Sequence, residues 1–156
     1  VNAKGWEATL SGWHADYREA RRGVVVHAPP PVKVLKTTAG STFTATWSRR
    51  GAVDFVGCAD GRPVFIEAKL CSGASWSLRS RGGLEPHQER MLRHARQCGA
   101  DVVAFVALHM NGEGWIVPIR SILASEAKSW GQAAVAKNAI PMVENGWIDV
   151  VRGITF

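Results

Sequence analysis

The sequence predicts an α/β fold in one domain, and three observations lead there. Asp60-Gly61 joins two short runs of strand-forming residues, the pattern of a β-hairpin. A helical pattern opened by Pro86 and closed by Gly99 follows, and after it comes a dense apolar run, Asp101 to Leu108, of the kind buried on both faces of a sheet. Finally, 156 residues suffice for one sizeable core, and the chain carries no repeat, low-complexity tract or convincing boundary, so 1–156 reads as a single domain.

Taken in order, Trp6, Leu10, Trp13, Tyr17 and Ala20 recur at spacings of three and four, which predicts a helix from about Trp6 to Arg22 with Gly23 as its stop. Glu7 lies beside that apolar face in the first turn, where a carboxylate suits the helix dipole. Val24 to His27 reads as a short buried strand, and Pro29-Pro30-Pro31 as a stiff extended connection, because proline cannot serve a central ladder. Residues 32–50 read as a hairpin-like projection carrying Lys33, Lys36, Arg49 and Arg50. Residues 71–84 form a loop of small polar residues with Arg79 and Arg81, suited to lying against a phosphate backbone or to simple mobility.

On the Pro86 helix, Gln88, Met91, Leu92, Ala95 and Cys98 share one face, while Arg90, Arg93 and Arg96 lie largely elsewhere. A glutamine on the packing face is either a satisfied core residue or part of a site. Asn111-Gly112 is a turn leading to a partner strand, Trp115 to Val117. Pro118 to about Lys128 reads as a helix; then come an alanine-rich piece, a turn at Ile140-Pro141 and a final strand, Trp147 to Val151. Trp6, Trp13, Trp130 and Trp147 suit core or interface, with core the expectation for any single one.

Nineteen basic residues against thirteen acidic ones give a net charge of +6, and thirteen of the nineteen are arginine, whose planar fork matches phosphate oxygens. That balance favours a polyanionic partner, nucleic acid before an anionic membrane surface. Three cysteines without a Cys-x-x-Cys pair, and histidines without ligand spacing, argue against a disulfide framework or structural zinc. No signal-peptide core is present, and the longest apolar run, Val102 to Leu108, is far too short to span a bilayer. A soluble cytoplasmic protein is expected.

The chemistry concentrates in the hairpin. A two-residue turn places Ala59 opposite Arg62, and the same register places Asp54 opposite Glu67, with Lys69 on the same face. Like charges so paired are destabilising, so the two carboxylates need a partner or one takes up a proton. Mg²⁺ is the obvious partner, a hard cation that takes oxygen ligands and keeps several waters. Lys69 would then orient or deprotonate an attacking water. The plainer alternative is that Lys69 neutralises two acids on an exposed strand face.

The order helix, strand, strand pair with Asp…Glu-x-Lys, helix, strand resembles the PD-(D/E)xK nuclease core, with Val53 in place of the name-giving proline. Gly51-Ala52-Val53-Asp54-Phe55-Val56-Gly57, Gly61-Arg62, Phe65-Ile66-Glu67-Ala68-Lys69, Ser75-Trp76-Ser77-Leu78 and His87-Gln88 look like the RecU family of Holliday junction resolvases. The resemblance runs from about Gly5 to Pro141. It implies a restriction-endonuclease-like core, a mixed central β-sheet flanked by helices, with a short projecting stalk hairpin at about 32–50. It also implies a metal-dependent homodimer that nicks two opposed strands of a four-way DNA junction. By position, Asp54, Glu67 and the Ala68 carbonyl would hold Mg²⁺, with Mn²⁺ expected to substitute. Lys69 would be the catalytic lysine, Gln88 would sit beside the site, and Glu7 would match the first-helix acid that approaches the metals. Lys33, Lys36, Arg49, Arg50, Arg79 and Arg81 would contact DNA. The stalk looks shorter than is usual in that family, and Glu7 follows Gly5 more closely than the family's acid follows its glycine. The alternatives are another nuclease on this core, acting on duplex, flaps or ends, and a non-catalytic basic nucleic-acid-binding module.

Overall fold

The computed structural model describes residues 2–28, 32–37, 43–47, 53–80, 82–144 and 146–152, with 32–37 and 43–47 described by backbone alone. The chain begins with α1 (Ala3–Glu19), β1 (Gly23–His27), β2 (Val32–Thr37), β3 (Phe43–Trp47), β4 (Phe55–Ala59), β5 (Arg62–Cys71) and β6 (Ser75–Ser77). It continues through α2 (Pro86–Gln97), β7 (Val103–Met110), β8 (Glu113–Pro118), α3 (Ile119–Leu123), β9 (Ser129–Gly131), α4 (Gln132–Asn138), β10 (Ile140–Pro141) and α5 (Ile148–Val151).

The Asp60-Gly61 turn sets the frame. Both residues adopt positive φ, 46° and 78°, the geometry of a two-residue hairpin turn. The register follows as expected, from Ala59 opposite Arg62 to Phe55 opposite Ile66. β5 then pairs in parallel with β7 through α2, and β7 turns at Asn111-Gly112 into antiparallel β8. The result is a mixed six-stranded sheet in the order β1-β4-β5-β7-β8-β10. β7, read as buried on both faces, has six successive buried residues from Val103 to Leu108.

Strand alternation divides the core in two. Phe55, Val64, Ile66 and Phe105 pack toward α1 and Trp147, whereas Ala104, Val106 and Leu108 pack toward α2, Trp76 and Trp130. α1 buries Trp6, Leu10, His14 and Tyr17; Ala20 is exposed, so His14 rather than Ala20 completes its inner face. Arg21, with φ of 57°, turns the chain out of the helix, and Gly23 opens β1 instead of stopping α1.

β1 is an edge strand and not the buried one expected. Val24 and Val26 are 56% and 49% exposed, on the side of the sheet opposite α1. Gly57 is required beside it, since a Cβ there would lie 2.1 Å from the Val24 carbonyl oxygen. β2 and β3 form the expected antiparallel hairpin as a separate two-stranded sheet. Its side chains, including those of Lys33 and Lys36, lie outside the described residues, as do Pro29 to Pro31, Arg49, Arg50 and Arg81.

Four further differences concern connections. The 71–84 stretch contains β6, which pairs with β9 and buries Trp76 against Trp130. The helix expected over 118–128 is only α3. Ile140-Pro141 is a strand paired with Ile116 and Trp115 rather than a turn. The expected last strand is instead the short helix α5, because the Tyr17 hydroxyl accepts hydrogen bonds from the Trp147 and Ile148 amides and Ile148 and Val151 face the core at helical spacing. Trp6, Trp130 and Trp147 are core residues and Trp13 is half-buried. Among the described residues no helix is long and apolar enough to cross a membrane.

Candidate active site

The site forms where the β4–β5 ladder ends. β4 pairs with β5 as far as Phe55 and Ile66, and at Asp54 the chain bends away. β7 accompanies β5 further, to Cys71. Beyond Ile66, β5 therefore has a ladder partner on one side only among the described strands. The Asp54 carboxylate compensates: its Oδ2 accepts a hydrogen bond from the Ala68 amide at 2.8 Å, standing in for a main-chain acceptor. The expected register thus holds only as far as Phe55 and Ile66; Asp54 is not a ladder partner of Glu67 but neighbours it through the bond to the Ala68 amide and the interaction of the two carboxylates.

Glu67 is 1% exposed, a position where a carboxylate needs compensation. Its Oε1 receives the Lys69 ammonium at 2.8 Å and a short hydrogen bond from the Gln88 amide nitrogen. Its Oε2 is buried and has no hydrogen-bond partner. Burial, and next the neighbouring Asp54 carboxylate, raise the Glu67 pKa from 4.5 to about 7, with Lys69 pulling the other way.

Gln88 resolves the choice the sequence left open. It is the third residue of α2, in its first turn, because Glu85 and Pro86 start that helix with a capping box. Its side-chain oxygen accepts from the Glu85 amide at 2.9 Å and from Lys69 Nζ at 3.1 Å, while its nitrogen serves Glu67. The helix start is therefore tied directly to the carboxylate and the lysine. A cleft of about 440 Å³ opens beside Lys69, floored by Gly82, Gly83 and Leu84 and closed by Glu85 and Pro86.

Other expected residues lie apart. Glu7 pairs with His27, whose Nε2 is 3.9 Å from its Oε2, and His27 in turn packs edge-on against Phe55. Among the described residues no three His, Cys, Asp or Glu side chains converge on one point, so Glu7 is not gathered with Asp54 and Glu67. Arg79, expected to contact DNA, ties its loop to α2 and α3: it bonds Glu89 at 2.9 Å and the Ile122 and Ser125 carbonyls at 2.7 and 3.1 Å. That clasp went unread because its carbonyl partners come from α3 and the residues after it, more than 40 positions away, and carry no residue-type signal.

The residues present fit a hard divalent cation. Two adjacent carboxylates, one with an orphaned buried oxygen, form an all-oxygen donor set that leaves room for waters and main-chain oxygens.

Comparison with known proteins agrees with this geometry. The family model described as "Recombination protein U" (RecU) matches residues 5–147. No curated protein matches the sequence. Among solved structures the chain is similar to Hjc, a Holliday junction resolvase from the archaeal hyperthermophile Archaeoglobus fulgidus. The TM-score is 0.53 at 16% identity, covering 88% of this chain and 94% of that one. At that identity the likeness establishes the fold, a restriction-endonuclease-like core.

Proposed function

The chain belongs to the RecU family, and from that premise we propose that it is a structure-selective endodeoxyribonuclease, a single nuclease domain over 1–156 that resolves four-way DNA junctions as a homodimer. The observation that carries the reading is Glu67: buried, next to Asp54, with one oxygen held by Lys69 and Gln88 and the other unpartnered. A buried carboxylate oxygen without a donor, beside a second carboxylate, is a place where a cation or a shared proton would be accommodated. One site per chain and two opposed strands to nick call for two copies.

Asp54 and Glu67 would hold Mg²⁺, or Mn²⁺ in its place, with the Ala68 carbonyl as a further ligand. Bound there, the ion lowers the pKa of a water and offsets charge developing on the phosphoryl oxygens. Asp54 is fixed by the Ala68 amide and lies close enough to Glu67 for the two carboxylates to interact, so both would face one ion. Gln88 holds Glu67 Oε1 and so leaves Oε2 for the ion. Lys69, bracketed by Glu67 and Gln88, places its ammonium toward the cleft, where it positions the attacking water or stabilises the phosphorane charge. Glu7, which pairs with His27 and is not gathered with the two carboxylates, would serve only as an outer acid if a second ion is recruited. Lys33, Lys36, Arg49, Arg50 and Arg81 contact phosphates of the junction, and shape rather than base reading selects it. Arg79 supports the loop that carries Arg81. The setting is cytoplasmic.

The test uses labelled four-way junctions and matched linear duplex, with Mg²⁺ or with chelator. Symmetric nicks confined to the junction and to Mg²⁺ support the proposal. Equal cutting of duplex points to another nuclease on this core, and no cutting in any divalent metal sinks the enzymatic reading.

A further inference from the structure

Helix α2 does two jobs on two faces, and only one of them is accounted for above. Its inner face buries Leu92 and Ala95, and its first turn delivers Gln88 to the carboxylates. The outer face carries Arg90, His94 and Gln97, all exposed, with Arg93 half-buried at its flank. At 100° per residue these four fall on one side, spaced i, i+3, i+4 and i+7.

The charges on this face are left over. Glu89 is the acidic residue of the twelve-residue helix, and it is taken by Arg79 at 2.9 Å. Arg22 bridges Asp60 and Asp149 and Arg96 bonds the Gly99 carbonyl, whereas Arg18, Arg21 and Arg120 share the lack of an ion pair among the described residues but are not aligned with one another on one helix face. Among the described residues Arg90 and Arg93 have no ion pair. Two guanidinium groups three residues apart on a helix repel each other, a small standing cost that a polyanion would remove.

Position supplies the rest. Arg90 sits two residues past Gln88, about 3 Å along the axis and about 200° around it, so the track runs over the outside of the helix whose inner side carries Gln88, and Gln97 lies another 10 Å or so along it. That length matches about three successive phosphates of one DNA strand at 3.4 Å of axial rise each. We propose that the Arg90–Arg93–His94–Gln97 face of α2 is a phosphate track that seats one duplex arm of the substrate leading away from the scissile bond. The proposal rests on the DNA-nuclease reading and extends it to residues with no catalytic part. The track touches backbone phosphates, so it favours no base sequence.

The test is the salt dependence of binding, by fluorescence anisotropy of a labelled four-way junction in chelator. Arg90→Ala/Arg93→Ala should lower the slope of log Kobs against log[salt] by about 1.8, at about 0.9 for each phosphate no longer neutralised. Between 50 and 200 mM salt, the variant's deficit should therefore shrink by about tenfold. Arg90→Gln and Arg93→Gln singly should each take away about half of that slope change, and Arg90→Lys/Arg93→Lys should restore the slope. Arg18→Ala/Arg152→Ala removes the same charge from α1 and from the end of α5, and should keep the wild-type slope. An unchanged slope in the α2 variants, or an equal drop in the control pair, overturns the track. Wild-type protein that binds DNA but never cuts a junction would sink the functional reading while leaving the slope comparison valid; wild-type protein that binds no DNA would overturn both.

Discussion

Two buried groups on opposite sides of the sheet should make the stability of the metal-free protein nearly independent of pH between about 4.5 and 6.5, and Glu67→Gln should expose the concealed slope. Glu67 has its pKa raised from 4.5 to about 7 by burial and by Asp54. It therefore stays protonated in the fold while the unfolded chain ionises, so its contribution is fully favourable below pH 4.5 and is lost as pH rises to about 7. His14 works the other way. Burial lowers its pKa from 6.5 to about 4, so the fold keeps it neutral while the unfolded chain takes up a proton, and stability is lost as pH falls from 6.5 toward 4.

Each group contributes about 1.4 kcal/mol per pH unit in its window, with opposite sign. Across pH 4.5 to 6.5 the two nearly cancel. Without Glu67 the His14 slope stands alone, and Glu67→Gln should gain stability by roughly 3 kcal/mol relative to wild type over that interval as pH rises. His14→Gln, which keeps an acceptor for the Trp147 indole N–H, should show the mirror-image slope. Urea unfolding in chelator at several pH values measures this directly, with the difference between variant and wild type isolating each group from other titrations. A Glu67→Gln profile parallel to wild type would refute the reasoning. Added Mg²⁺ should stabilise wild type above pH 7 and leave Glu67→Gln nearly unmoved.

Asp54→Asn keeps an oxygen for the Ala68 amide, so it should fold and bind junctions while Mg²⁺-dependent nicking falls to about a thousandth or less, read from single-turnover gels. Gln88→Ala frees Glu67, Lys69 and the Glu85 amide together; a stability loss of about 1–2 kcal/mol in urea melts and a rate loss of about 10–100-fold are expected. Gly57→Ala drives a Cβ into the Val24 carbonyl at 2.1 Å, which should lower the thermal midpoint by about 5–10 °C through loss of β1.

What the sequence made legible is what local chemistry decides. Asp60-Gly61 sets a two-residue turn, and that turn sets the register from Ala59 and Arg62 to Phe55 and Ile66, which brings Asp54 to the neighbourhood of Glu67; the bend at Asp54 itself left no local signal. Pro86, Gly99 and the apolar run that follows marked α2 and β7 for the same reason. Misreadings cluster where a distant partner decides. Val24 to His27 is as apolar as a central strand, but its depth depends on what covers it, and on the side opposite α1 Val24 and Val26 stay exposed. Trp147 to Val151 has strand composition, yet Tyr17, 130 residues earlier, captures its first amide and turns it into a helix. The acceptors that hold Arg79 could not be read from the sequence either, because all three are ten to 46 residues away.

The site itself depends on a defect in the sheet. A continuous β4–β5 ladder would satisfy the Ala68 amide with a carbonyl and bury β5 between two neighbours, leaving no edge for a phosphate to approach. By leaving the ladder at Asp54, the chain exchanges a main-chain acceptor for a carboxylate and opens β5 at the residue where Glu67 points into the α2 side of the core. Glu67 is then buried by α2 and open toward Asp54 at once, which is why its charge is so costly and why one of its oxygens stays unpaired. Gln88 braces the Lys69–Glu67 ion pair, since its amide engages both partners and is itself fixed by the start of a helix. The geometry of the candidate site is therefore inherited from three ordinary events of folding: a two-residue turn, a strand that ends early and a capped helix.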